Sequence, residues 1–167
     1  MGAIVMFKFK KLTTDEEVAE FWEKLYEYHE QDLFADMDEE DQEYFSGREY
    51  YDAIMDLKVN TNGGQLPLEM VFITDEIGVY IGFAMYKIYN NEDGKAFILE
   101  FCIDQLLRNQ GLGTRVAKAF EKYLQNDGAT YLAINTSNED NFRFWKRFGF
   151  VESEPDEWGN MTYTKMI

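Results

Sequence analysis

The hydrophobic positions of this 167-residue chain change period along its length, and the changes lay out its elements. Residues 3–11 carry Ile4, Met6, Phe7 and Phe9 before two closing lysines and predict a strand. Thr14 with Glu17 three residues on is the pattern of a capping box. The helix it opens sets Val18, Phe21, Trp22, Leu25, Tyr28 and His29 at the i, i+3, i+4 spacing of one packed face. On that face His29 reads as a half-buried packing residue rather than a catalyst. Residues 32–43 lose the period and predict an acidic connection. Ser46, followed by Gly47, Arg48 and Glu49, predicts a second cap and a helix to about residue 57.

After a loop at residues 60–67, two apolar runs at 68–75 and 78–89 predict strands joined by a tight turn near Glu76. The turn-forming Asn90-Asn91-Glu92-Asp93-Gly94 leads into a third run at 96–104, giving an antiparallel meander. The next helix carries Leu112, Val116, Ala119, Phe120, Tyr123 and Leu124 on its inner face and stops before Gly128. Residues 131–135 predict a short buried strand, and 138–148 a helix anchored by Phe142, Trp145 and Phe148. A last strand begins at 149–151 and returns through Trp158-Gly159-Asn160 as residues 161–167. The order β-α-α-β-β-β-α-β-α-β-β makes the chain α+β, one domain spanning 1–167 with a mixed, mostly antiparallel sheet flanked by helices.

Composition narrows the function. A net charge of −16 disfavours nucleic acid, whose phosphates need clustered Lys and Arg. No run of eighteen apolar residues predicts a membrane span. The lone Cys102 cannot form an internal disulfide, and the N-terminus lacks a signal-peptide pattern, so the expected location is cytoplasmic. One His and one Cys make a structural zinc site implausible. The acid is uneven: residues 15–43 hold fourteen Asp or Glu against the single basic Lys24. Such a surface attracts cations, or serves solubility alone.

The candidate chemistry lies between strand 96–104 and the helix after it. Arg108-Asn109-Gln110-Gly111-Leu112-Gly113-Thr114 places two glycines where a strand hands over to a helix. Free amides and the helix dipole there make a seat for an anion, most often phosphate. No Gly-Lys-Ser/Thr follows, so it is not a Walker loop, and it lacks the dinucleotide fingerprint. The loop resembles the R/Q-x-x-G-x-G/A pyrophosphate loop of the GNAT acetyltransferase superfamily. The flanking strand and helix and the later Gly149-Phe150 extend the resemblance over roughly residues 66–151. It implies acetyl-CoA as co-substrate, direct acetyl transfer to an amine, and a gap between the central strand and the next. In that gap the backbone of Phe101, Cys102 and Ile103 would pair with the pantetheine arm, and the amides of 109–114 would hold the pyrophosphate.

The resemblance also exposes a departure. The family's general-acid Tyr lies in Asn-x-x-Ala-x-x-x-Tyr before the Gly-Phe ending. Here Asn138 and Trp145 take the Asn and Tyr places and Asn141 that of Ala, while starting instead at Asn141 brings in Phe148. An indole N–H donates a hydrogen bond but gives up no proton at neutral pH. Tyr131, Tyr163 or water are the candidate substitutes. Glu100, a carboxylate in the apolar run FILEFCI, is the candidate base, with an outward-facing strand residue as its alternative. Acidic residues of 32–43 and of the terminal hairpin (Glu152, Glu154, Asp156, Glu157) predict a cationic acceptor: a polyamine, an aminoglycoside-like compound or a basic peptide. A non-catalytic acyl-CoA-binding module is the alternative function. Exposed aromatics are compatible with a homodimer.

Overall fold

The computed structural model describes residues 6–136 and 139–167. Strands β1 (Lys8–Lys11), β2 (Glu69–Thr74), β3 (Tyr80–Tyr89), β4 (Lys95–Ile103), β5 (Tyr131–Asn135), β6 (Val151–Pro155) and β7 (Met161–Met166) form one sheet. Its order is β1-β2-β3-β4-β5-β7-β6. Only the β4–β5 pair is parallel. The expected α+β sheet, mostly antiparallel and flanked by helices, is therefore observed. The first strand is shorter than expected: Met6 and Phe7 precede it, and residues 3–5 lie outside the described residues.

Helices α1 (Asp15–Tyr28), α2 (Glu39–Ser46) and α3 (Arg48–Val59) precede β2, α4 (Leu112–Asn126) joins β4 to β5, and α5 (Glu139–Phe148) joins β5 to β6. The Thr14–Glu17 capping box forms in full. Two expectations fail here. The acidic connection contains α2, because Asp38 accepts from the amide of Asp41 and starts a helix there. Ser46 ends that helix instead of capping the next: its hydroxyl donates to the carbonyl of Gln42, and Gly47 opens α3 with no side-chain cap.

The sheet separates two apolar layers. On one face Phe21, Trp22 and Leu25 of α1 and Tyr50 and Ile54 of α3 pack on Met70, Phe83 and Met85. On the other, Val116, Phe120 and Leu124 of α4 and Trp145 of α5 cover Ile81, Tyr86, Ile98 and Ile103. Burying each large side chain contributes about 1.5–3 kcal/mol, so both helix pairs are fixed firmly against the sheet.

Candidate functional site

The parallel pairing of β4 with β5 stops early. Lys95, Ala96 and Phe97 face Tyr131, Leu132 and Ala133, and no partners follow, although both strands continue. The sheet is open beyond that point. On its other edge β4 stays paired with β3, but its register slips: Met85 faces Glu100 and Tyr86 faces Ile98, leaving Leu99 as an extra residue. A bulge of this kind puts two successive residues on one face. Ile98 packs in the α4/α5 layer, whereas Leu99 joins the α1/α3 layer and Glu100 meets His29 of that side. Without the bulge, strict alternation from Ile98 would carry Glu100 to the opposite face. At Gly82 the two backbones approach so closely that an added Cβ would lie 2.0 Å from the carbonyl oxygen of Cys102.

A cavity of about 450 Å³ passes through the opening. Tyr28, Asp32, Leu33 and Cys102 line it from the α1 side, and Phe144 and Trp145 from the α5 side. Phe101, Ile103, Arg108, Asn109, Gly111, Gly113 and Thr114 complete the wall, so the loop and strand singled out in the sequence converge on one space. Gln110 is exposed, and Leu112 packs against the core. Asn109 and Gly111 adopt left-handed conformations, with φ of 64° and 72°. No side chain caps α4. Its first amides are thus left to an outside acceptor, and an anion is the natural one.

A larger groove of about 1120 Å³ starts from the same loop and runs over α4 and α5 to the last residues of β7. Lys118, Lys122, Arg147 and Lys165 give it a basic wall, in contrast to the protein's overall charge. Lys165 is ion-paired with Glu121 there.

Behind the cavity α1 ends in a π-helical turn, His29–Leu33. This wider turn shifts the angular spacing of side chains, and such turns are frequent at functional sites. Here it sends Tyr28 and Asp32 into the cavity and His29 to the sheet. His29 is 1% exposed rather than half-buried, and its Nε2 lies 2.9 Å from Oε1 of Glu100. Arg108 turns inward from the loop: its Nε donates to the Ile103 carbonyl at 2.9 Å, and its Nη2 meets Asp32 at 2.9 Å and Cys102 Sγ at 3.4 Å. That pairing raises the Arg108 pKa further, so the guanidinium stays charged. Burial pushes the Cys102 thiol up to about 12, which the neighbouring guanidinium only partly offsets. Burial, then the charge of Glu100, raises the Tyr28 phenol. Tyr28 therefore keeps its proton, and its side chain is hydrogen-bonded to that of Asn141, another residue of the cavity wall, which offsets part of the rise.

The remaining candidates separate. Trp145 is 8% exposed and sits among Phe101, Phe144 and Phe150 at ring distances of 5.4, 4.9 and 5.2 Å, so it is a core anchor whose edge reaches the cavity. Tyr131 donates to Asp93 instead, and Tyr163 packs against Phe142 with the rings tilted; neither lines the cavity. Asn138 lies outside the described residues. Of the expected acidic walls, Asp32 reaches the cavity, whereas Glu152, Glu154, Asp156 and Glu157 of the terminal hairpin do not line it; Asp140, not expected, does. Tyr28 was missed in the sequence because it falls on the periodic inner face of α1, where an aromatic reads as packing.

Comparison with known proteins agrees with this fold. The family model described as Acetyltransferase (GNAT) family matches residues 15–150. A spermine/spermidine N(1)-acetyltransferase of Bacillus subtilis (strain 168) is 32% identical over 81 residues, 44% of this chain and 53% of that protein. The chain thus spans about half the length of that relative. Among solved structures, the PaiA N-acetyltransferase of Thermoplasma acidophilum, in complex with coenzyme A, superposes with a TM-score of 0.70 at 20% identity, covering 96% of this chain and 99% of that one. A GNAT family acetyltransferase of Elizabethkingia anophelis with acetyl-CoA bound gives 0.61 at 12% identity, covering 96% and 98%. Among the described residues no helix is long and apolar enough to cross a membrane.

Proposed function

The chain belongs to the GNAT acetyltransferase family, and from that premise we propose that it transfers acetyl from acetyl-CoA to a primary amine of a polyamine. The observation that carries this reading is the cavity at the sheet opening, which joins an uncapped helix start to the unpaired edge of the central strand at Phe101, Cys102 and Ile103, the residues that follow Glu100. Acetyl-CoA would supply the thioester. The amides of Gly111 to Thr114 and the basic groove beyond them suit its phosphates, and the unpaired edge of β4 at Phe101, Cys102 and Ile103 suits its pantetheine arm.

The acceptor enters as an ammonium, which has no lone pair, so a base must first take a proton. Glu100 is the group for that task. The amine nitrogen then forms its bond to the acetyl carbon and releases its second proton to water, while the carbon–sulfur bond breaks and the electron pair stays on sulfur. The Tyr28 O–H, kept protonated by its surroundings, is the donor on the cavity wall for the departing thiolate. A hydrogen bond suffices, because a free thiol already ionises near about 8.5. Trp145, packed in its aromatic cluster, has no proton to contribute.

Two features support a polyamine. The relative that shares 32% identity acts on spermine and spermidine. The cavity wall carries Asp140 beside the Asp32–Arg108 ion pair, in a protein of net charge −16. The test is incubation with acetyl-CoA and, in parallel, spermidine, an aminoglycoside and a lysine peptide, with products identified by mass spectrometry. Acetylated spermidine supports the reading. Binding of acetyl-CoA with no acetylated amine would favour a non-catalytic acyl-CoA-binding module.

A further inference from the structure

We infer that His29 is the positioning residue of the site, fixing Glu100 so that one carboxylate oxygen alone takes the acceptor's proton. The inference rests on the reading of Glu100 as the base, and it concerns a group that reading does not require. His29 Nε2 stands 2.9 Å from Glu100 Oε1, while His29 Nδ1, also buried, has no hydrogen-bond partner among the described residues. A carboxylate oxygen facing a ring nitrogen can only accept, so the proton belongs on Nε2. Moving it to Nδ1 would bury an N–H with nothing to bond and set two lone pairs against each other.

The ring cannot turn away. Tyr28, Phe34, Phe45 and Tyr50 surround it at centroid distances of 5.7 to 6.3 Å. The chain thus pays for a buried imidazole with one satisfied nitrogen, and that nitrogen serves Glu100. The other polar groups packed around the pair leave it alone electrostatically. Asp32 and Arg108 neutralise each other. Tyr28 from α1, Tyr50 from α3 and Cys102 from β4 all have raised pKa values and stay uncharged. Glu100 itself is 13% exposed by side chain, so it is not sealed from solvent as His29 is, and it directly precedes Phe101 and Cys102 of the cavity wall.

The chain contains one histidine, so the imidazole ¹⁵N spectrum of the whole protein reports His29 without a variant. The expected result is a proton on Nε2 and a resonance that moves when spermidine is added, but not in Glu100→Gln. A proton on Nδ1, or a ring indifferent to spermidine, would overturn the inference. Kinetics give a second arm. His29→Phe, close in shape but without a donor, should lower kcat about tenfold or more with the KM for acetyl-CoA unchanged. His29→Gln, which can offer an N–H to the same oxygen, should recover most of the loss. In a Glu100→Gln background His29→Phe should add nothing further. Equal losses in His29→Phe and His29→Gln, or losses that multiply with Glu100→Gln, would make His29 merely structural. Full activity of Glu100→Gln would instead remove the base reading itself, which separates the two failures.

Discussion

Arg108, in the loop before α4, reaches Asp32, in the π-helical turn after α1, at 2.9 Å. Its Nε holds the Ile103 carbonyl at the end of β4 at the same time. One side chain thus ties the loop that would seat the donor to the turn that borders the acceptor's cavity. Arg108→Lys keeps the charge but cannot make both contacts, because an ammonium lacks the planar fork. It should raise the KM of both substrates by several-fold, as should Arg108→Ala, while costing only about 1 kcal/mol of stability for a partly exposed pair. Steady-state kinetics with each substrate varied in turn, beside a thermal melt, checks this. A change confined to the KM for acetyl-CoA would reduce Arg108 to a phosphate contact.

Tyr28 and Trp145 divide the role that sequence comparison assigns to one position. Tyr28→Phe removes only the hydroxyl on the cavity wall and should lower kcat by about 10²-fold, the low end of general acid–base effects, with KM little changed. Trp145→Phe keeps the aromatic packing and should stay within a few-fold of wild-type kcat. Trp145→Ala should lose about 3–5 kcal/mol of stability, as a buried Trp does. Initial rates at saturating substrate and melting curves separate the two residues.

Cys102 offers a pH test. Its thiol is pushed up to about 12 by burial, so at pH 8 the thiolate fraction is on the order of 10⁻⁴. Reaction with a small disulfide reagent should therefore be slow at neutral pH and keep accelerating towards the alkaline limit of folding, with no plateau at pH 9. Removing the guanidinium in Arg108→Ala should slow it further, since that charge favours the thiolate. Rapid labelling at pH 7 would contradict the burial.

Gly82 tests the backbone under the site. Its alanine variant would put a methyl 2.0 Å from the Cys102 carbonyl oxygen, where backbone must give way. The expected cost is about 1–3 kcal/mol in a denaturant melt, with a fall in activity because β4 shifts beside the cavity.

The outline of the fold and the loop were legible because they rest on local signals. Thr14 and Glu17 cap α1 as their spacing predicts, and Gly111 takes the left-handed conformation that its place before a helix suggests. What escaped depends on tertiary structure. Helix α2 has only Tyr44 and Phe45 as large apolar residues, so its charge hid it. Ser46 looked like a cap because Glu49 follows it, yet it binds back to Gln42. The face taken by Glu100 is set by the bulge at Leu99, which alternation cannot reveal. Its partner His29 is 71 residues away in sequence. Tyr28 is distinguished from its packing neighbours only by the opening in the sheet.

The most direct measurement is thiol release from acetyl-CoA with spermidine as acceptor, comparing wild type with Glu100→Gln at matched stability. The account predicts turnover by the wild type, acetylated spermidine as product, and a kcat lowered by about 10²–10⁴ in Glu100→Gln, the range of a lost general base. Equal turnover by the two proteins would contradict the assignment of the base, and no turnover by the wild type, with acetyl-CoA bound, would contradict the account as a whole.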